Sequence, residues 1–181
     1  GTTLHLSLII GALGVIATFL LFICTGMIYA SIKFLQEWAC ALTVINYLLL
    51  GTASGFTLAA AFASANAPDL LGLFGNWAII ITAFAFFTRG GSLIRNARIK
   101  AKSTIQTAIG IRHPKIQQKA MGMQGGSMNT RDFFHHKTAT FMKIIKWSFM
   151  ILVFLLPIIL LWAGVDSGST KILLVAFIIQ Y

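Results

Sequence analysis

The 25 residues from Leu6 to Ala30 contain no charged side chain. A bilayer's hydrocarbon core is about 30 Å thick, so a helix needs about 20 mostly apolar residues to cross it. Leu6–Ala30 meets that length, as does a second uncharged run, Leu42–Ala65. Leu70–Thr88 and Trp147–Gly164 come close, the latter carrying Pro157, and Ile172–Tyr181 reads as the first half of a fifth run. Lipid offers the backbone no hydrogen-bond partners, which leaves helices or closed barrels. A barrel would alternate apolar and polar residues, and no such alternation is present. The expected fold is all-α, a polytopic transmembrane helix bundle. Residues 1–181 would form a single membrane domain, with helices at about 6–30, 42–65, 70–88, 147–164 and 172–181 and a basic extramembrane loop at 89–146.

Composition agrees. Hydrophobic residues make up 57% of the chain and charged residues 10%, against about 25% charged in a soluble domain. Fourteen Lys and Arg face four Asp and Glu, a formal net charge of +10. Such a charge invites nucleic acid only if it spreads over a soluble surface. Here twelve of the fourteen basic residues lie between Arg89 and Lys146, beside a single acid, Asp132. Lipid is therefore the expected surroundings and nucleic acid is not an expected partner. Gly1 at the start and the apolar run at the end read as a fragment of a longer polypeptide. The first twenty residues lack the basic n-region and cleavage pattern of a signal peptide.

Small residues suggest where helices touch. Gly11, Gly14 and Ala17 form one stripe, and Gly51, Gly55, Ala59 and Ala63 another, the spacing that lets backbones approach closely. Trp38, Trp147 and Trp162 fall at helix ends, as interfacial anchors do. Cys24, inside an apolar run, is expected to be a small buried hydrophobe, and Cys24 and Cys40 lack a metal-binding spacing.

Alternation of the helices sets the link Ser31–Cys40 on the same side as the basic loop. The positive-inside rule then makes that side cytoplasmic. The loop's start, Gly91 to Gln106, can continue as a basic helix, and the rest reads as a folded loop capped near Asn129 and Thr130. Gly, Met, Phe and Asn interleave its cations, which favours a protein-docking face over a merely lipid-attracted one. The docking candidates are Arg98, Lys102, Arg112, Lys115, Lys119, Asn129 and Arg131.

No helix interior, as bounded above, carries Asp, Glu, Lys or Arg. Intramembrane charges usually mark ion and proton pathways, so their absence argues against an ion-coupled transporter. His5, His113, His135 and His136 all lie outside helix interiors, so no haem is expected in this fragment. No metal site is expected either. Quinone pockets are largely apolar with few polar groups, and Tyr29, Lys33, Glu37, Trp38, Asn46 and Tyr47 gather around one helix connection on the basic side. Tyr and Asn can hydrogen-bond a quinone carbonyl, and Lys33 or Glu37 can exchange protons with water. The competing reading of these residues is ordinary interfacial polarity.

Two long blocks carry a family resemblance. ICTGMIYASIKFLQEWACALTVINYLLLGTASG, Ile23 to Gly55, resembles the DmsC family, the membrane anchor subunits of dimethyl sulfoxide reductase and related molybdenum enzymes. STIQTAIGIRHPKIQQKAMGMQGGSMNTRDFFH, Ser103 to His135, is similar to the loop of one branch of that family, which includes anchors of SoeC-type sulfite-oxidising complexes. The resemblance implies an eight-helix bacterial inner-membrane anchor, of which the five segments here correspond to the fourth to eighth helices. It implies an iron–sulfur subunit and a molybdopterin catalytic subunit as partners. It further implies electron exchange with ubiquinone or menaquinone. The family's His-Leu-Gly-containing and Ser-Glu segments, linked to quinol binding, have no counterpart in this sequence, so no residue carries over from them. In dimethyl sulfoxide reductase itself this loop would face the periplasm; the charge here favours a cytoplasm-facing complex. A structural anchor without a quinone site and a small-molecule transporter are the alternatives.

Overall fold

The computed structural model describes residues 6–33, 35–100, 107, 110, 113, 115 and 138–181. Helix α1 spans Leu6–Ala30 and α2 spans Ala41–Asn66. A 3₁₀ turn, Pro68–Leu70, leads into α3, Leu71–Arg98. Helix α4, Ala139–Met150, runs through a π turn, Ile151–Leu155, into α5, Leu156–Ser167, and α6 spans Thr170–Gln180. There is no strand among the described residues. Four helical stretches, Leu6–Ala30, Ala41–Asn66, Pro68–Arg98 and Thr140–Ser167, are long and apolar enough to cross a membrane. The chain is an all-α, multi-pass membrane protein.

Helix α2 is the hub, packing against α1, α3 and α6, while α5 packs on α3 and α6. The interior is built from small side chains. Ala53, Ala60, Ala61 and Ala63 of α2 and Ala78 and Ala85 of α3 are buried. Large apolar side chains point outward instead, with Phe62 and Phe87 each about 70% exposed. Water would penalise that distribution; lipid does not, and small interior residues let helix backbones close on one another. Leu161 and Leu173 join the alanine core from α5 and α6.

The small-residue stripes divide by use. Gly51 receives the Phe22 ring of α1, and a Cβ at Gly26 would sit 2.9 Å from the Val44 backbone. Gly11, Gly14 and Gly55 face open space, and Ala17 is exposed, so the first stripe is turned outward among the described residues. Cys24 is exposed, against the expectation that it is buried. An apolar run does not reveal whether its neighbours are protein or lipid, and on α1 nearly every side chain faces outward.

Two helices extend beyond their apolar runs. Helix α3 continues ten residues past Thr88, and α4 starts at Ala139, where Thr138 Oγ1 accepts from Phe141 N at 3.2 Å as an N-cap. Arg89, Arg95, Arg98, Lys143 and Lys146 are thus helical. Long basic side chains can reach water from a helix that is still rising through the boundary. The apolar runs themselves carry no charge, as expected, but α3 is longer than its run and holds Arg89 and Arg95 before its end. The expected cap at Asn129 and Thr130 lies outside the described residues.

Hydrogen bonds fix which ends meet. Arg95 on α3 donates to the backbone carbonyls of Gln36 and Glu37 in the α1–α2 link. At the opposite end Ser64 and Thr170 hydroxyls lie 2.7 Å apart. Gly168 joins α5 to α6 in the left-handed region, φ 64°, where a side chain would be strained.

Candidate functional site

The α1–α2 link is a series of tight turns. Leu35 N donates to Ile32 O and Trp38 N to Leu35 O, and the Leu35 side chain is buried beneath them. This winding brings the link back over the end of α1. The Tyr29 ring stacks on Tyr47 of α2, centroids 5.5 Å apart and planes 12° from parallel. It meets Trp38 edge-on at 5.4 Å and 82°. Both arrangements match the quadrupoles of aromatic rings. Tyr29 and Tyr47 are half-buried, Trp38 is 37% exposed, and Lys33 is exposed beside them in sequence. The Arg95 guanidinium holds the carbonyls of Gln36 and Glu37 and also reaches Asn96 Oδ1 at 3.1 Å. It clamps the link onto α3.

Asn46, read from sequence as a quinone ligand, is directed elsewhere. It is buried, its Nδ2 donates to Ser92 Oγ at 2.8 Å, and its Oδ1 accepts from Thr88 Oγ1 at 2.9 Å. An amide has two donors and two acceptor positions, and half of these are committed to α3. Of the five quinone candidates, Tyr29 and Trp38 touch one another, Lys33 and Glu37 flank them in the link, and Asn46 faces the helix interface.

Of the docking candidates, Arg98 is exposed at the end of α3 and Lys115 is exposed, its backbone N lying 3.1 Å from His113 Nδ1. Lys102, Arg112, Lys119, Asn129 and Arg131 lie outside the described residues.

Two polar groupings were not anticipated. Thr57 Oγ1 donates to Gln180 Oε1 at 2.8 Å, and Gln180 Nε2 donates to Thr82 Oγ1 at 2.9 Å, all three residues being buried. One side-chain amide therefore ties α2, α3 and α6 together. Gln180 was visible as the one strongly polar residue ending an apolar run, but its partners are 98 and 123 residues away. The other grouping centres on Arg89, whose guanidinium lies 5.5 Å over the Phe149 ring of α4. Phe149 packs edge-on against Phe154, and Phe154 against Phe86, each at 5.9 Å.

No protein-family model matches the chain, and no solved structure matches it. Over 176 residues it is 46% identical to a sulfite dehydrogenase subunit from Allochromatium vinosum. The match covers 97% of this chain and 54% of that protein, so the chain spans about half the length of the curated relative it matches.

Proposed function

We propose that the chain is part of the membrane subunit of an oxidoreductase complex that oxidises sulfite and delivers the electrons to the quinone pool. The carrying observation is the 46% identity to a sulfite dehydrogenase subunit across nearly the whole chain. The resemblance of Ile23–Gly55 and Ser103–His135 to the DmsC family supports the same reading. The partners would be an iron–sulfur subunit, docked on the basic face that includes Arg98 and Lys115, and a molybdopterin catalytic subunit. In such a complex sulfite loses an electron pair and gains a water oxygen to become sulfate. Quinone takes the electron pair and two protons and leaves as quinol.

The Tyr29–Tyr47–Trp38 group fits a quinone headgroup. It offers flat aromatic faces, hydroxyl and indole donors for a carbonyl oxygen, and a position at the end of the helices. Lys33, exposed in the link, is suited to passing protons from water, and Glu37 is the nearby carboxylate. Asn46 would act at one remove, as a positioning residue that pins α2 to α3 beneath the tyrosines. The family resemblance implies a bacterial inner membrane, and the concentration of positive charge in the loop supports placing it, and hence the catalytic partners, on the cytoplasmic side.

The test uses the full-length protein purified with its partner subunits. Sulfite-dependent reduction of a soluble quinone analogue is measured beside sulfite-dependent reduction of an artificial acceptor that bypasses the membrane. Both activities are expected in the intact complex. Loss of the membrane subunit should abolish only the first. Unchanged quinone reduction without it would make the chain a structural anchor, and absence of sulfite-oxidising partners would end the reading.

A further inference from the structure

Arg89 stands twenty residues after Asp69, which lies in the 3₁₀ turn that leads into α3 at the far end of the bundle. At about 1.5 Å per residue that is roughly 30 Å, the thickness of the hydrocarbon core. Lys146 stands the same twenty residues from Asp166 at the far end of α5. Both cations therefore reach the depth at which lipid phosphates begin. Lys146 is three residues before Phe149 and shares its helix face.

Arg89 is half-buried, and its Nε is fully buried without a hydrogen-bond partner among the described residues. Phe149 contributes a cation–π contact, but a ring face supplies no acceptor atom for an N–H. Of the chain's four acids, Asp69 and Asp166 lie at the other end of the bundle, Glu37 lies in the α1–α2 link, and Asp132 lies outside the described residues. A guanidinium N–H buried without an acceptor is costly. The complementary group is an anion with several acceptor oxygens, for which the planar guanidinium fork is well matched. At this depth the abundant anion of that kind belongs to the membrane itself.

We propose that Arg89 and Lys146, between α3 and α4, bind the phosphate of an anionic phospholipid. Arg89 supplies the forked donor, Lys146 the second charge, and Phe149 the surface on which the guanidinium is oriented. The site is independent of the quinone reading and stands if that reading fails.

The experiment uses the full-length protein with its partner subunits, reconstituted in bilayer discs of phosphatidylglycerol or phosphatidylcholine. Native mass spectrometry counts the lipids retained after mild detergent release. The wild type is expected to retain phosphatidylglycerol about tenfold more than phosphatidylcholine, a ratio that one charge-assisted pair can supply. Arg89→Gln should abolish the preference, Arg89→Lys should keep part of it, and Lys146→Gln should reduce it. If Arg89→Gln does not assemble, Lys146→Gln and the wild-type comparison decide. Equal retention of the two lipids by the wild type, or an unchanged preference in Lys146→Gln, overturns the proposal. So does competition by millimolar inorganic phosphate that displaces the lipid completely, which would identify a free-phosphate site.

Discussion

Asn46 Nδ2 lies 2.8 Å from Ser92 Oγ, joining α2 to α3 in a buried, water-poor contact near the Tyr29–Tyr47 pair. The same amide accepts from Thr88. Interhelical hydrogen bonds in membranes average about 0.6 kcal/mol by double-mutant cycles. Asn46→Leu, which removes both, is expected to destabilise the full-length protein by about 1–2 kcal/mol. Denaturant titration in mixed micelles checks this. A cycle with Ser92→Ala should give a coupling of about 0.5 kcal/mol, and additive single effects would mean that the bond contributes nothing.

Gly26 and Gly55 should respond oppositely to alanine. A Cβ at Gly26 would press on the Val44 backbone at 2.9 Å, whereas one at Gly55 meets nothing within 4 Å. Gly26→Ala is expected to cost about 1–3 kcal/mol through overpacking. Gly55→Ala should be neutral or slightly stabilising, because alanine is the better helix former. Parallel unfolding measurements on the two variants decide it; equal effects would contradict the α1–α2 packing described above.

Gln180→Leu removes the shared partner of Thr57 and Thr82. Each threonine still bonds a carbonyl of its own helix, Thr57 to Ala53 and Thr82 to Ala78. The loss should therefore stay near 1–2 kcal/mol rather than the larger cost of an orphaned buried group. Gln180→Glu should be worse, since its second oxygen cannot donate to Thr82. Thermal unfolding that ranks leucine below glutamate would refute this ordering.

Trp38→Ala tests the aromatic group through function. It removes the edge-on partner of Tyr29 without touching the α2–α3 clasp. Aromatic pairs contribute about 0.5–1.5 kcal/mol beyond burial, so KM for a quinone analogue is expected to rise roughly threefold to tenfold. Reduction of an artificial acceptor by the partner subunits should not change. A fall in both activities together would point to failed assembly instead of a lost contact.

The membrane-spanning cores were legible because lipid imposes a length and a composition that side chains cannot hide. Helix ends were harder. At Thr88 the apolar run stops, but backbone hydrogen bonding does not, and arginine stems can climb toward water while the helix continues to Arg98. Which face of a span meets protein was also hidden. Cys24 and Gly51 both sit in apolar runs, yet one is exposed and the other holds Phe22. Tyr29, Trp38 and Lys33 could be grouped from sequence because they lie close along the chain. The partners of Asn46 and Gln180 depend on helices distant in sequence, which spacing within one segment does not reveal.

The π turn at Ile151–Leu155 holds one more residue per turn than the α-helix on either side. It precedes Pro157, which has no amide hydrogen to offer the α-helical ladder. The turn thus acts as a local length buffer. A single-residue deletion within it, at outward-facing Leu152 for example, can close the helix to α geometry and leave both flanking faces in phase. The same deletion in α2 would rotate everything beyond it by about 100° and carry the alanine face away from α3. Tolerance to insertion and deletion is therefore unevenly distributed along this membrane domain, and the stretch just before Pro157 is where a change of length does least harm.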